Sequence, residues 1–209
     1  MKKVTIYFIF TDTGTNLSRI INFCTRQSLN HVSIGFDKDL NEVYSFGRKN
    51  PKNPFSGGFV KEDIRSDFLK NANCAVYTFQ LTESERDSIL GNIKKIEINK
   101  ESYRYNFIGL IGVLLQIEIR RKYAFFCSEF VAEVLRDTSS ISLSKPHCFI
   151  TPTDIRSLVG MELIYEGKLG DYQYKDIPDE VKPVKKQEIL QKPSLFLLIT
   201  KRVKQFVIR

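Results

Sequence analysis

Tyr123-Ala124-Phe125-Phe126-Cys127-Ser128-Glu129-Phe130-Val131-Ala132-Glu133-Val134-Leu135 is the stretch on which the fold turns. An aromatic run meets a helical pattern at Cys127: Phe130, Val131 and Val134 fall three, four and seven residues on and mark one apolar face. The cysteine therefore stands at a helix N-terminus, where unpaired amide N–H groups and the positive end of the helix dipole favour a thiolate. A sulfur on that face can equally be a small core hydrophobe. Which of the two it is depends on what the rest of the chain brings to it.

A nucleophilic cysteine needs a base within hydrogen-bond reach and a group that orients the base's second ring nitrogen. The chain has two histidines. His147 lies in a proline-flanked loop beside Cys148. His31 opens residues 31–36, which pair with residues 42–46 across the turn Asp37-Lys38-Asp39-Leu40-Asn41 as a predicted β-hairpin. His31, on the more rigid element, is the better base. The hairpin sets its second strand alongside, with Val43 and Ser45 on one face and Glu42, Tyr44 and Phe46 on the other. Ser45 is the natural orienting group, and Glu42 takes its place if the register slips by one residue.

Working outward, residues 4–10 read as a buried strand, and Leu17, Ile20, Ile21 and Cys24 after Asn16 as an amphipathic helix. Residues 47–58 are turn-rich and cationic, a loop in which Arg48 is a candidate for lining a cleft. Residues 74–81 predict a strand. Thr82-x-x-Glu85 is a capping box opening a helix with Ile89, Ile93 and Ile96 on one face. Residues 106–119, apolar almost all round, predict a central buried helix. Thr151-Pro152-Thr153-Asp154 has the form of a helix start, and residues 162–169 of a last strand. Residues 1–169 thus predict an α+β domain, with an antiparallel sheet packed against the Cys-bearing helix. Residues 170–193 are a polar linker by composition, and 195–208 an amphipathic segment.

Composition sets the outer limits. At 209 residues, 42% hydrophobic and 27% charged, the chain can bury a real core and is not a disordered tail. The longest apolar run, residues 107–115, is nine residues, well short of the roughly 20 that span a bilayer. Met1-Lys2-Lys3 and the apolar run after it end at Thr11-Asp12-Thr13-Gly14 without a small-residue cleavage pattern, so a first strand and a cytoplasmic protein are expected. Four cysteines without CxxC spacing argue against a zinc finger or a disulfide scaffold. Of the net charge of +8, residues 182–209 hold eight Lys/Arg against one acid, Glu188. Nucleic-acid binding by the whole domain therefore loses support. The basic segment reads either as a terminal helix docked on the domain or as one lying on an anionic membrane surface.

His31-Val32-Ser33-Ile34-Gly35, then Val43-Tyr44-Ser45-Phe46, then Phe126-Cys127-Ser128-Glu129-Phe130-Val131 resemble the circularly permuted branch of the NlpC-type papain-like hydrolases, in which histidine precedes cysteine. Tyr103-Arg104-Tyr105 stands upstream of the cysteine in the sense of the family's Tyr-x-Tyr. Phe126 replaces the aspartate of the unpermuted signature, as in the permuted relatives, which include bacterial amidase-like proteins and the lecithin retinol acyltransferase group. The resemblance covers roughly residues 1–160. It implies a papain-like fold with Cys127 as nucleophile, His31 as base and Ser45 at an orienting position that relatives fill with His, Asn, Gln or Glu. It also implies that Tyr103 donates to the oxyanion beside the Cys127 N–H. The implied chemistry is metal- and cofactor-free acyl transfer from an amide or ester, as a peptidase or amidase or as an acyltransferase, on a peptide, amide or acyl-lipid substrate. A reading of another class keeps the fold but leaves it catalytically idle, with residues 182–209 binding anionic membrane or nucleic acid.

Overall fold

The computed structural model describes residues 2–12, 14, 28–48, 57–115, 117–119 and 121–173. The helix expected after Asn16, most of the 47–58 loop, most of the linker and the whole basic segment 182–209 lie outside the described residues. In chain order the elements are β1 (Lys3–Asp12), β2 (His31–Gly35), β3 (Val43–Arg48), β4 (Gly57–Glu62), β5 (Asn73–Thr82) and α1 (Glu83–Ile98). There follow β6 (Arg104–Tyr105), α2 (Phe107–Leu115), β7 (Ala124–Phe125), α3 (Cys127–Val134), α4 (Pro152–Arg156) and β8 (Glu162–Lys168). Six strands make one sheet in the order β4-β3-β2-β1-β5-β8, each neighbouring pair antiparallel. The fold is mixed α and β, as its sequence pattern implies.

Both faces of the sheet are covered. On one, Phe8, Phe10, Ile34, Phe46 and Phe59 pack with Ile89, Ile93 and Ile96 of α1 and Phe130, Val131 and Val134 of α3. On the other, Tyr7, Ile9, Val43 and Val76 meet Leu40, Ile64, Leu69, Leu169 and Tyr172. Central β1 is for that reason apolar on successive residues instead of alternating. The hairpin turn is set by Asp37, whose carboxylate accepts from the N–H groups of Asp39, Asn41 and Glu42 at 3.1, 3.1 and 2.6 Å. The predicted capping box opens α1: Thr82 Oγ1 accepts from Glu85 N at 3.2 Å, and Glu85 Oε2 from Thr82 N at 3.0 Å. Glu85 Oε1 also accepts from the backbone of Ser139 and Ser140, which fastens the chain beyond α3 to the start of α1.

Two expectations are corrected. Residues 47–58 are not all loop, because Gly47 and Arg48 continue β3 and Gly57 and Gly58 open β4 in register with them. Glycine pairs read as turns, yet here they occupy paired strand ends. Nor is the stretch 106–119 a central buried helix. Helix α2 ends at Leu115 and the chain folds back, Ile117 N donating to Gly112 O at 2.9 Å. Gly112 permits this return, since a Cβ there would stand 2.6 Å from the Ile117 carbonyl oxygen. Ile108 and Ile117 are 51% and 54% exposed. All-round apolarity records the absence of a polar face and does not say what covers it.

Candidate active site

Strand register builds the site. His31 opens β2, paired with Thr11 of β1. The β2–β3 ladder matches Ile34 with Tyr44 and Gly35 with Val43, so alternation turns His31, Ser33, Val43 and Ser45 to one face. The β3–β4 ladder matches Val43 with Glu62, which brings that carboxylate to the same face. There Glu62 Oε1 accepts from His31 Nε2 at 2.8 Å and from Ser45 Oγ at 2.5 Å, while Oε2 accepts from Ser33 Oγ at 2.7 Å. Both partners of the His31–Glu62 pair are largely buried, with side chains 14% and 9% exposed.

The electrostatics favour the charged forms of both groups. Burial alone lowers the His31 imidazole, but the Glu62 charge and hydrogen bonds with Cys127 and Glu62 outweigh it and push the pKa up to about 10. Burial alone raises the Glu62 carboxyl. The His31 charge and the hydrogen bonds from His31, Ser33 and Ser45 overcome that and hold it below the usual carboxylate range. The result is a buried imidazolium–carboxylate pair whose carboxylate oxygens both have donors.

Cys127 is the first residue of α3, and its Sγ lies 3.8 Å from the Asn30 carbonyl oxygen, next to His31. The thiol lies close enough to His31 to help raise the pKa of its imidazole, by hydrogen bonding and by charge. Phe126 occupies the N-cap position and offers no side-chain cap to the first turn. The entry into the helix is held instead by Glu129, whose Oε2 accepts from Phe126 N at 3.3 Å and from Asn106 Nδ2 at 3.4 Å. The small parallel β6–β7 ladder, with Asn106 N donating to Phe125 O at 2.9 Å, positions both approaches.

Helix α3 packs on the sheet face opposite Val43 and Ser45, and Cys127 at its start acts on His31 at the end of β2, which Glu62 and Ser45 hold from their own face. Ser45 does not orient the imidazole itself; it donates to the carboxylate that does. Glu42 points elsewhere, accepting from the Tyr44 hydroxyl at 2.9 Å. Tyr103 is packed among aromatic rings. Its ring stacks on Phe125 at 5.5 Å and meets Tyr123 and Phe46 edge-on. The charged groups acting on its hydroxyl include Glu133 and Arg136, at the far end of α3 from Cys127. Tyr103 thus belongs to an aromatic cluster with Phe46, Tyr123 and Phe125. His147 pairs with Glu133 at that same end, Nδ1 to Oε2 at 3.1 Å.

Glu62 and Ser33 are the residues that sequence reasoning missed. Ser33 carried a signal, since alternation sets it on the His31 face. Glu62 carried little, because the strand that bears it opens with two glycines. Among the described residues, no group of three or more His, Cys, Asp or Glu side chains is arranged to hold a metal ion. No helix among them is long and apolar enough to cross a membrane. No protein-family model, curated protein or solved structure matches the chain.

Proposed function

We propose that this protein is a cysteine-dependent acyl-transfer enzyme of the permuted papain-like type, acting as a thiol hydrolase on an amide or ester. One observation carries the reading: His31, held through Nε2 by buried Glu62, engages Cys127 at the uncapped start of α3. A packed structural cysteine needs no imidazole beside it, and a structural histidine needs no thiol.

In this reading the Cys127 thiolate attacks the substrate carbonyl carbon, forming a C–S bond while the carbonyl electron pair moves onto oxygen. The Cys127 backbone N–H, in the first turn of α3, is a donor for that oxyanion. Collapse breaks the C–N or C–O bond, and the His31 imidazolium gives its proton to the departing amine or alcohol, leaving a thioester. Neutral His31 then takes a proton from water or another acceptor as it attacks the thioester, and the thiolate leaves. Glu62 keeps the ring oriented and its positive charge stabilised throughout, as the third member of a triad does. Peptides, simple amides and acyl lipids all offer the required carbonyl. The acceptor separates hydrolase from acyltransferase.

Thiol reactivity tests this without a known substrate. Mass-resolved alkylation at pH 6.5 is expected to label Cys127 well before Cys74, whose thiol burial pushes up to about 12. His31→Ala is expected to abolish that advantage. Equal labelling of Cys127 in the wild type and in His31→Ala would refute the reading.

A further inference from the structure

We infer that α2 and the segment that returns from it form a face that seats the protein on an anionic lipid surface. The two parts are continuous. Ile108 and Gly112 lie four residues apart on one face of α2. Ile117 and Ile119 fold back onto Gly112, with Ile119 side-chain carbons where a Gly112 Cβ would find them at 3.1–3.2 Å. Large aliphatic groups are thereby left in solvent on this face, as Ile98 and Val159 are elsewhere, while both faces of the sheet are covered. Tyr123, 47% exposed with positive φ, stands at the foot of this face with the Lys122 ammonium 5.1 Å from its ring centroid.

The charge around the face selects its partner. Arg121 and Lys122 are exposed in the stretch that follows Ile119, and Arg104 is exposed on β6, whose partner strand β7 comes next, with Glu101 and Glu118 as the acids of the same stretches. Aliphatic side chains next to clustered cations, with an aromatic ring at the boundary, match a lipid interface with anionic headgroups. A nine-residue helix is too short to span a bilayer but long enough to lie in its surface. The face is also coupled to the candidate active site. Buried Asn106, at the entry to α2, bonds through Nδ2 to Glu129 in the first turn of the Cys127 helix. The inference stands apart from the chemistry at Cys127, and Cys127→Ala is expected to bind lipid as the wild type does.

Co-sedimentation of the full chain with vesicles tests it, using phosphatidylcholine alone and an equal mixture with phosphatidylglycerol. Binding is expected on the mixed vesicles and to fall with added salt. Ile108→Ser with Ile117→Ser is expected to weaken it about tenfold or more. Arg121→Ser with Lys122→Ser is expected to weaken it roughly 10- to 30-fold. The second pair lies on the surface and carries the test if the first fails to fold, which thermal melts report. The inference is overturned if neither vesicle binds the protein, or if binding survives both pairs and so belongs to another part such as residues 182–209. It is equally overturned if the variants change only self-association in light scattering, which would make a second copy the occupant.

Discussion

The carboxylate of Glu62 reaches His31 across a strand that separates them: β3 lies between β4 and β2, yet Glu62 Oε1 and His31 Nε2 stand 2.8 Å apart. The crossing is possible because β3, beyond Val43, presents the small residues Ser45 and Gly47 on that face. A Cβ on Gly47 would sit 3.3 Å from both His31 Cε1 and Ser45 Oγ.

Gly47→Ala is therefore expected to push the imidazole off its carboxylate, slow Cys127 alkylation and cost about 1–3 kcal/mol. Gly91, exposed on α1 with nothing within 4 Å of an added Cβ, is the control. Gly91→Ala is expected to stabilise by about 1 kcal/mol and leave alkylation unchanged. Urea melts with alkylation rates check both.

Glu62→Gln keeps the shape and removes the charge that supports the imidazolium. An ordinary thiol is only about 1% thiolate at pH 6.5. The Cys127 alkylation rate at pH 6.5 is expected to fall about tenfold or more in the variant, as the imidazolium beside the sulfur loses its partner. Glu62→Ala, which leaves a buried imidazolium unpartnered, is expected to cost about 3–5 kcal/mol in urea melts.

Ser33 and Ser45 are expected to differ. Ser45→Ala leaves Glu62 Oε1 with its His31 bond, whereas Ser33→Ala removes the donor to Oε2. Each hydrogen bond to a charged group contributes about 1.5–3 kcal/mol. Ser33→Ala is expected at the upper end and Ser45→Ala at the lower, and NMR titration of the His31 ring is expected to show the larger fall in pKa for Ser33→Ala.

The same pair sets a pH profile for stability. His31 is raised from 6.5 to about 10, so its contribution is complete below pH 6.5 and is lost as pH rises through about 10. Glu62 is lowered from 4.5, so its contribution is complete above that value and is lost as pH falls through its folded value. Wild-type urea midpoints are expected to decline between about pH 6.5 and 10, and Glu62→Gln to flatten that decline. A decline of equal slope in the variant would assign it to other groups.

Thr11, the neighbour of His31 on β1, is 1% exposed, and its hydroxyl has no hydrogen-bond partner among the described residues. Thr11→Val exchanges an unsatisfied hydroxyl for a methyl of similar shape. It is expected to stabilise the fold by about 1 kcal/mol, read as a higher urea midpoint.

Local signals carried much of this molecule into view. The Asp37 turn, the Thr82 and Thr151 capping boxes and the Cys127 helix start are written in neighbouring residues, and the structure builds each of them. Glu62 was not legible, because its meeting with His31 depends on the register of two ladders and on a glycine in the strand between them. Tyr103 shows the opposite case. Its motif is easy to read, but the rings of Tyr123, Phe125 and Phe46 that surround it come from other parts of the chain. The exposure of Ile108 and Ile117 was hidden for the same reason, since it depends on the chain returning after Leu115 onto Gly112.

Strands β1 to β4 follow one another as a meander, and only afterwards does the chain supply Cys127. During synthesis the imidazole and its carboxylate can thus meet while the sulfur is still to be made. Because contacts between neighbouring hairpins close faster than the distant docking of α3, a refolding chain brings Cys127 to His31 late. Alkylation of Cys127 would then clock the final closure of the molecule, and a protein misassembled at that step would carry an ordinary cysteine.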